Sequence, residues 1–183
     1  GGGPFPLVAL DGLAVRGLAW SATGELAVAA DRDGTERWQL YVRRADGTVA
    51  PLAVSEEHRV QHHLSWNAWS PDGGLLACST NARDPADVDV AVLGRDGSSA
   101  GLLVAGPSWH VTGGWSPDGL RLAVMRVRDN LDQDLLVVEP ATGDSRLITP
   151  TDGGAQQVPA GWLADGYAGR EFGRINTDLT TKF

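Results

Sequence analysis

The sequence predicts an all-β protein: a partial β-propeller of four-stranded antiparallel blades, about three of them complete, with incomplete blades at each end. Three observations predict it. The apolar residues come in short runs such as Leu26-Ala27-Val28, Leu40-Tyr41-Val42 and Val90-Ala91-Val92, separated by polar turns rich in the chain's 24 glycines and 10 prolines. One motif recurs four times, at Trp20–Gly24, Trp69–Gly73, Trp115–Gly119 and Trp162–Gly166, with its tryptophans 49, 46 and 47 residues apart. Each period also carries a second Gly turn, at Ala45-Asp46-Gly47-Thr48, Arg95-Asp96-Gly97-Ser98 and Ala141-Thr142-Gly143-Asp144, which leaves room for four strands.

Taken in order, residues 1–14 hold Pro6-Leu7-Val8-Ala9-Leu10, which resembles Ala50-Pro51-Leu52-Ala53-Val54 and reads as the outer strand of a preceding blade. Residues 15–60, 61–108 and 109–155 each read as a whole blade, and 156–183 as a truncated one. In the last blade the expected start of the third strand, near Gly173, arrives early, so most of one strand is expected to be lost between Gly166 and Arg170.

The motif has a physical logic. In Ser70-Pro71-Asp72-Gly73 and Ser116-Pro117-Asp118-Gly119, Pro presets φ for the second turn position and Asp suits the third. Gly then supplies the left-handed conformation that closes a bulged hairpin. The tryptophan before the turn ends the inner strand with a large apolar plate, suited to packing between neighbouring blades. Trp20, Trp69, Trp115 and Trp162 are therefore scaffold residues. A second recurrence, Arg32-Asp33-x-x-Glu36, Arg83-Asp84-x-x-Asp87 and Arg128-Asp129-x-x-Asp132, reads as a local ion pair that shapes a hairpin.

Composition excludes several classes. With 23 acidic against 15 basic residues and a net charge of −8, the chain is no binder of nucleic acid backbones. No apolar run reaches the roughly 18 residues that span a bilayer. Cys78 is the single cysteine, which excludes an intrachain disulfide or a cysteine-rich zinc site. Gly1-Gly2-Gly3-Pro4 has neither the charged nor the apolar region of a signal peptide, and the first residue is not Met. The expectation is an internal piece of a longer cytoplasmic protein.

The Trp-Ser-Pro-Asp-Gly hairpins resemble the propellers of TolB-like proteins and of prolyl oligopeptidase family serine peptidases. Asn81–Val90, Asp132–Val138 and Gly169-Arg170-Glu171-Phe172 resemble the second group more closely. That resemblance implies a propeller that caps an α/β-hydrolase domain of the same chain and admits short peptides. The triad would lie in the hydrolase domain, so no catalytic residue carries over to this chain, and no cofactor is implied. The motif departs from the family pattern at Ala22-Thr23 and at Leu163-Ala164.

Candidate chemistry is thin. Gly97-Ser98-Ser99-Ala100-Gly101 matches G-x-S-x-G, but the nucleophile elbow needs a strand-to-helix turn, and here a strand follows. Glu56–His63 holds several metal-ligand types, yet His62 and His63 point to opposite sides of a strand, so no metal site is assigned. His62, His63 and His110 stand as candidates to line the channel. Arg128 and Asn130, with Arg126, stand as candidates to meet a peptide terminus, against the plainer reading of a solvated edge. Trp38 and Trp66 read as inter-blade packing. Blades at the two ends would expose apolar faces, so the isolated chain is expected to self-associate.

Overall fold

The computed structural model describes residues 8, 10–57, 59–65, 67–149, 155–163, 166–172 and 178–182. They form four antiparallel sheets in chain order, each a simple meander. The first contains β1 (Leu13–Trp20), β2 (Leu26–Arg32), β3 (Gln39–Arg43) and β4 (Val49–Ala53). The second contains β5 (His62–His63), β6 (Leu75–Thr80), β7 (Asp89–Gly94) and β8 (Ser99–Val104). The third contains β9 (Trp109–Trp115), β10 (Leu122–Asp129), β11 (Asp132–Val138) and β12 (Ser145–Leu147). The fourth contains β13 (Gln156–Leu163), β14 (Gly166–Phe172) and β15 (Asp178–Lys182). These are propeller blades, and the chain is a partial propeller.

The turn after each inner strand is built as its chemistry dictates. The Ser70 hydroxyl donates to Asp72 Oδ1 at 2.5 Å and accepts the Leu75 N–H at 2.9 Å, while Asp72 Oδ1 also accepts the Gly74 N–H at 2.9 Å. Ser116 and Asp118 repeat this, with Ser116 Oγ to Asp118 Oδ1 at 2.5 Å and the Arg121 N–H to Ser116 Oγ at 2.9 Å. These serine hydrogen bonds hold the Asp72 and Asp118 carboxyls below the usual range. Gly73 and Gly119 take φ of 70° and 73°, the left-handed region where a Cβ would strain the backbone. In the first blade Thr23 replaces the aspartate, and its hydroxyl lies 3.0 Å from Ser21 Oγ. The turn survives that change because Ser21 Oγ still accepts the Glu25 N–H at 3.0 Å.

Blades are joined by one repeated hydrogen bond. The indole N–H of Trp69 donates to the Ala19 carbonyl at 3.0 Å, that of Trp115 to Ala68 at 2.8 Å, and that of Trp162 to Gly114 at 3.0 Å. Each acceptor is the residue before the preceding blade's tryptophan. The ring thus crosses the inter-blade seam and fixes register there. Small residues occupy all three acceptor positions. At Gly114, with φ of 102°, a Cβ would overlap the Asn67 amide, which donates to the Gly113 carbonyl at 3.2 Å. Apolar clusters fill the seams: Leu40, Trp69, Leu76 and Cys78 between the first two blades, and Val90, Trp115, Leu122 and Val124 between the next two.

Two expectations are corrected. The last blade has not lost its second strand: β14 pairs with β13 from Gln156↔Phe172 to Leu163↔Gly166. The ion pair expected between Arg32 and Glu36 does not form. Asp31 instead receives Arg16 Nε at 2.8 Å and the Glu36 N–H at 2.8 Å, with Glu36 itself at φ 58°. The other two recurrences do pair, Arg83 with Asp87 at 2.8 Å and Arg128 with Asp132 at 2.5 Å. The proposed outer strand Pro6–Leu10 lies largely outside the described residues; Val8 and Leu10 pack against Leu26, Val28 and Ala30.

Trp115→Phe keeps most of the plate and removes only its donor, leaving the buried Ala68 carbonyl short of one partner. The expected loss is about 1–3 kcal/mol in urea unfolding, whereas Trp109→Phe, at a 58% exposed position, is expected to change stability by less than about 0.5 kcal/mol.

Candidate functional site

The inner strands begin on one rim of the arc, beside the loops that join the second and third strands of each blade. The candidate residues gather on this rim. His62 is the first residue of β5, and its N–H donates to the Trp38 carbonyl at 2.8 Å. His110, in β9, makes the equivalent bond to the Val88 carbonyl at 2.7 Å, and its Nδ1 lies 3.0 Å from the same oxygen. In the fourth blade the position belongs to Gln157, whose N–H reaches Gln133 Oε1 at 3.2 Å. Trp38, Val88 and Gln133 each directly precede the aligned residues Gln39, Asp89 and Asp134.

His62, His110 and Gln157 thus form a second repeated inter-blade contact, and all three are buried. Their backbone N–H groups dock on the preceding blade across the seam. Gln157 was not singled out from sequence; the signal was a polar residue five positions before Trp162, as His110 is before Trp115. His62 stands seven positions before Trp69, and those two additional residues explain why β5 is short. Between the His63↔Ser79 pair and the Trp69↔Leu76 bridge, Leu64, Ser65 and Asn67 stand outside the ladder.

His63 lies on the other side of the strand, half-buried, with its ring 4.8 Å from that of Trp38 in an edge-on arrangement. Burial pushes the His62 imidazole down to about 4, with the neighbouring His63 adding to the shift. Burial lowers His63 as well. It also lowers His110, partly offset by the Val88 carbonyl and Asp89. His58 and Trp66 lie outside the described residues.

Beside His110 the rim carries two arginine–carboxylate clusters. Arg83 bonds Asp89 through Nε at 2.8 Å and Asp87 at 2.8 Å, and its Nη2 also reaches the Gly106 carbonyl at 3.1 Å. Arg126 bonds Asp134 at 2.5 Å, and Arg128 bonds both Asp132 and Asp134. Asp89 and Asp134 are buried, so each depends on its guanidinium partners. Donating to Asp89 and Asp87 raises Arg83, and donating to Asp132 and Asp134 raises Arg128, above the ordinary guanidinium range. The arginines expected to meet a peptide terminus therefore serve first as counter-ions. Asn130 contributes its backbone carbonyl, which accepts Gln156 Nε2 at 2.7 Å.

Between the clusters stands Trp109, 58% exposed, paired with Val127 in its own sheet and bridged to Val88 of the preceding one. Its indole donates to the Ala86 carbonyl at 3.2 Å, which fixes the ring while leaving a face open. An aromatic plate with half-exposed guanidiniums on the neighbouring strand positions can hold and orient a peptide-like chain. Ser99 opens β8 in a hairpin, and its hydroxyl accepts the Gly101 N–H at 3.1 Å. Cys78 is buried, and burial pushes its thiol up to about 12, so no thiolate forms near neutrality.

On the opposite rim, Glu25 locks the first seam. Burial alone would raise its pKa, but Arg95 at 2.9 Å and Arg44 at 3.1 Å outweigh that and bring it below the usual range. At the second seam Leu75, Trp115, Leu120 and Pro140 help line a groove of about 440 Å³ that contains no titratable side chain.

Stability carries the signature of the buried histidine. The unfolded chain protonates His62 near 6.5 and the folded chain only near 4. Stability present above pH 6.5 is thus lost as pH falls towards 4, by on the order of 3 kcal/mol. His62→Gln, which installs the fourth blade's residue, is expected to flatten that decline in unfolding midpoints between pH 4 and 7. An unchanged pH slope would contradict this assignment.

No family model and no curated protein matches the sequence. Solved structures do match the fold. A putative TolB from Agrobacterium tumefaciens superposes with a TM-score of 0.55 at 21% identity, over 78% of this chain and 48% of that one. Dipeptidyl peptidase 4 from Porphyromonas gingivalis gives 0.55 at 15% identity, over 96% of this chain and 34% of that one. Puromycin hydrolase in complex with PGG gives 0.54 at 24% identity, over 85% and 25%. This chain spans from a quarter to just under half the length of these proteins. At such identities the likeness establishes the fold: that of TolB-like propellers and of the propeller regions of prolyl oligopeptidase family peptidases.

Proposed function

We propose that the chain is the non-catalytic propeller portion of a cytoplasmic prolyl oligopeptidase-like serine peptidase. In this reading it gates and size-selects peptides for an α/β-hydrolase domain supplied elsewhere in the same polypeptide. The observation that carries it is the rim around Trp109, where an exposed, fixed indole and half-exposed guanidiniums suited to orienting a peptide stand on neighbouring strands. The likeness to a dipeptidyl peptidase over 96% of this chain supports it. So does the Arg83 cluster, which spends its guanidinium on buried Asp89 and so sets a rigid wall beside the aromatic plate.

A second reading, a propeller that binds protein partners, draws on the TolB match and on the uncharged groove beside Leu102 and Leu120, which are 47% and 65% exposed.

The two readings part in the full-length protein. A fluorophosphonate probe is expected to label a serine outside residues 1–183, and a ladder of peptides is expected to be cleaved at short lengths while folded proteins are refused. Replacing Trp109 with Ala should raise KM for the short peptides more than it lowers kcat. Absence of both labelling and peptide cleavage would overturn the peptidase reading and leave the binding module.

A further inference from the structure

An aspartate followed by glycine can rearrange its own backbone, because the glycine has no side chain to keep its nitrogen from the aspartate Cγ. The chain has eight such pairs, and both residues of six are described. Four of the six occupy the repeated hairpin turns, with Asp at the third turn position and Gly at the fourth. There both reacting groups are tied. The N–H groups of Gly47, Gly73, Gly97 and Gly119 close the turns by donating to the carbonyls of Arg44, Ser70, Gly94 and Ser116 at 2.8–2.9 Å. The carboxylates of Asp46, Asp72, Asp96 and Asp118 each accept a serine or threonine hydroxyl at 2.5–2.7 Å and a backbone N–H at 2.9–3.0 Å. Those hydroxyl bonds keep all four carboxyls below the usual range, so little of the acid form that can lose water is present.

Asp33-Gly34 is built differently. Here Asp and Gly take the second and third turn positions, so the Thr35 N–H closes the turn on the Arg32 carbonyl at 3.1 Å. Among the described residues neither the Asp33 carboxylate nor the Gly34 N–H has a hydrogen-bond partner. Both residues are exposed, and nothing lies within 4 Å of where a Gly34 Cβ would stand. Asp33 is itself held in the left-handed region at φ 56°. We propose that Asp33-Gly34 is a site of spontaneous isoaspartate formation. The Gly34 nitrogen attacks Asp33 Cγ and loses its proton, and a carboxyl oxygen leaves as water, closing a succinimide. Water then adds at the Asp33 α-carbonyl carbon and breaks its bond to the Gly34 nitrogen. The chain now runs through Cβ and Cγ, and a free α-carboxylate remains; no atom is gained or lost overall. That carboxylate is the group esterified by methyltransferases that recognise isoaspartate and use S-adenosylmethionine. The longer backbone falls between Asp31 and Glu36, whose N–H now reaches Asp31 Oδ2 at 2.8 Å. Asp11-Gly12 shares these turn positions, with the Leu13 N–H donating to the Leu10 carbonyl at 3.0 Å, and is expected to react as well.

The inference rests on turn geometry and not on the peptidase reading, so either can fail alone. The test is to warm the folded full-length protein at neutral pH for several weeks, label it with an isoaspartyl methyltransferase and radioactive S-adenosylmethionine, and map the labelled peptides. Label at Asp33 should exceed that at each of Asp46, Asp72, Asp96 and Asp118 by about tenfold or more, since tying the reacting atoms away from each other costs at least that much in rate. A sample aged in denaturant, where the turns are gone, should label the Asp33 and hairpin pairs alike. Asp33→Glu, whose longer side chain must close a larger and slower-forming ring, should remove the label at that position. Glu36 at φ 58° shows that this loop accommodates a left-handed glutamate, so the far-ultraviolet spectrum of the variant should be unchanged. A folded protein without label at Asp33, or one in which any of the four hairpin aspartates is labelled as strongly as Asp33, would overturn the inference.

Discussion

The structure depends on a single polar contact made by an apolar ring: the indole N–H that crosses from one blade to the backbone carbonyl of the one before. A propeller seam is otherwise two greasy sheet faces, which could slide past each other by a residue with little loss of buried area. A directional bond at 2.8–3.0 Å removes that freedom, because sliding by a residue would pull the ring nitrogen away from its carbonyl. The tryptophan thus contributes both the bulk that fills the seam and the donor that registers it. The turn that follows keeps the ring in place, since Ser70 and Ser116 tie the start of each hairpin to its aspartate and to the returning strand.

What lies at the two rims follows from that registration. On one rim the seam ends in His62, His110 and Gln157, polar groups admitted to a buried place because their backbone docks on the preceding blade. Nδ1 of His62 and both side-chain amide atoms of Gln157 are buried without a hydrogen-bond partner among the described residues. The surrounding arginines are held by buried carboxylates, which makes the wall around Trp109 stiff. On the other rim, Glu25 gathers Arg44 and Arg95 from two blades and closes the first seam, while the second seam remains an apolar groove.

Much of the fold was legible in the sequence because each blade meets its neighbour in the same way. The spacing of Trp20, Trp69, Trp115 and Trp162 therefore carried strand number, turn position and seam contact together. The site was less legible. Arg95 and Glu25 are 70 residues apart, and nothing local marks them as partners. Arg32 and Glu36 kept the spacing of the pairs in other blades, but a left-handed backbone at Asp33 and Glu36 reshaped the loop and passed the buried carboxylate to Asp31 and Arg16. The last blade looked short of a strand because alignment by motif counts residues, whereas the ladder of β13 and β14 counts pairs. Arg126 and Arg128 looked available on their strand until Asp134, buried on the next one, claimed both.

The central claim is that the blades are registered by the indole bonds. Hydrogen exchange of the indole protons, followed by NMR on tryptophan-labelled chain, tests it most directly. The account predicts that the Trp69, Trp115 and Trp162 indole protons exchange far more slowly than that of exposed Trp109. It also predicts that Trp69 and Trp115 lose protection together with the backbone amides of the seams they cross. Indole protons at Trp69 and Trp115 exchanging as fast as Trp109, in a chain whose strands remain protected, would show that packing alone sets the register and would contradict the account.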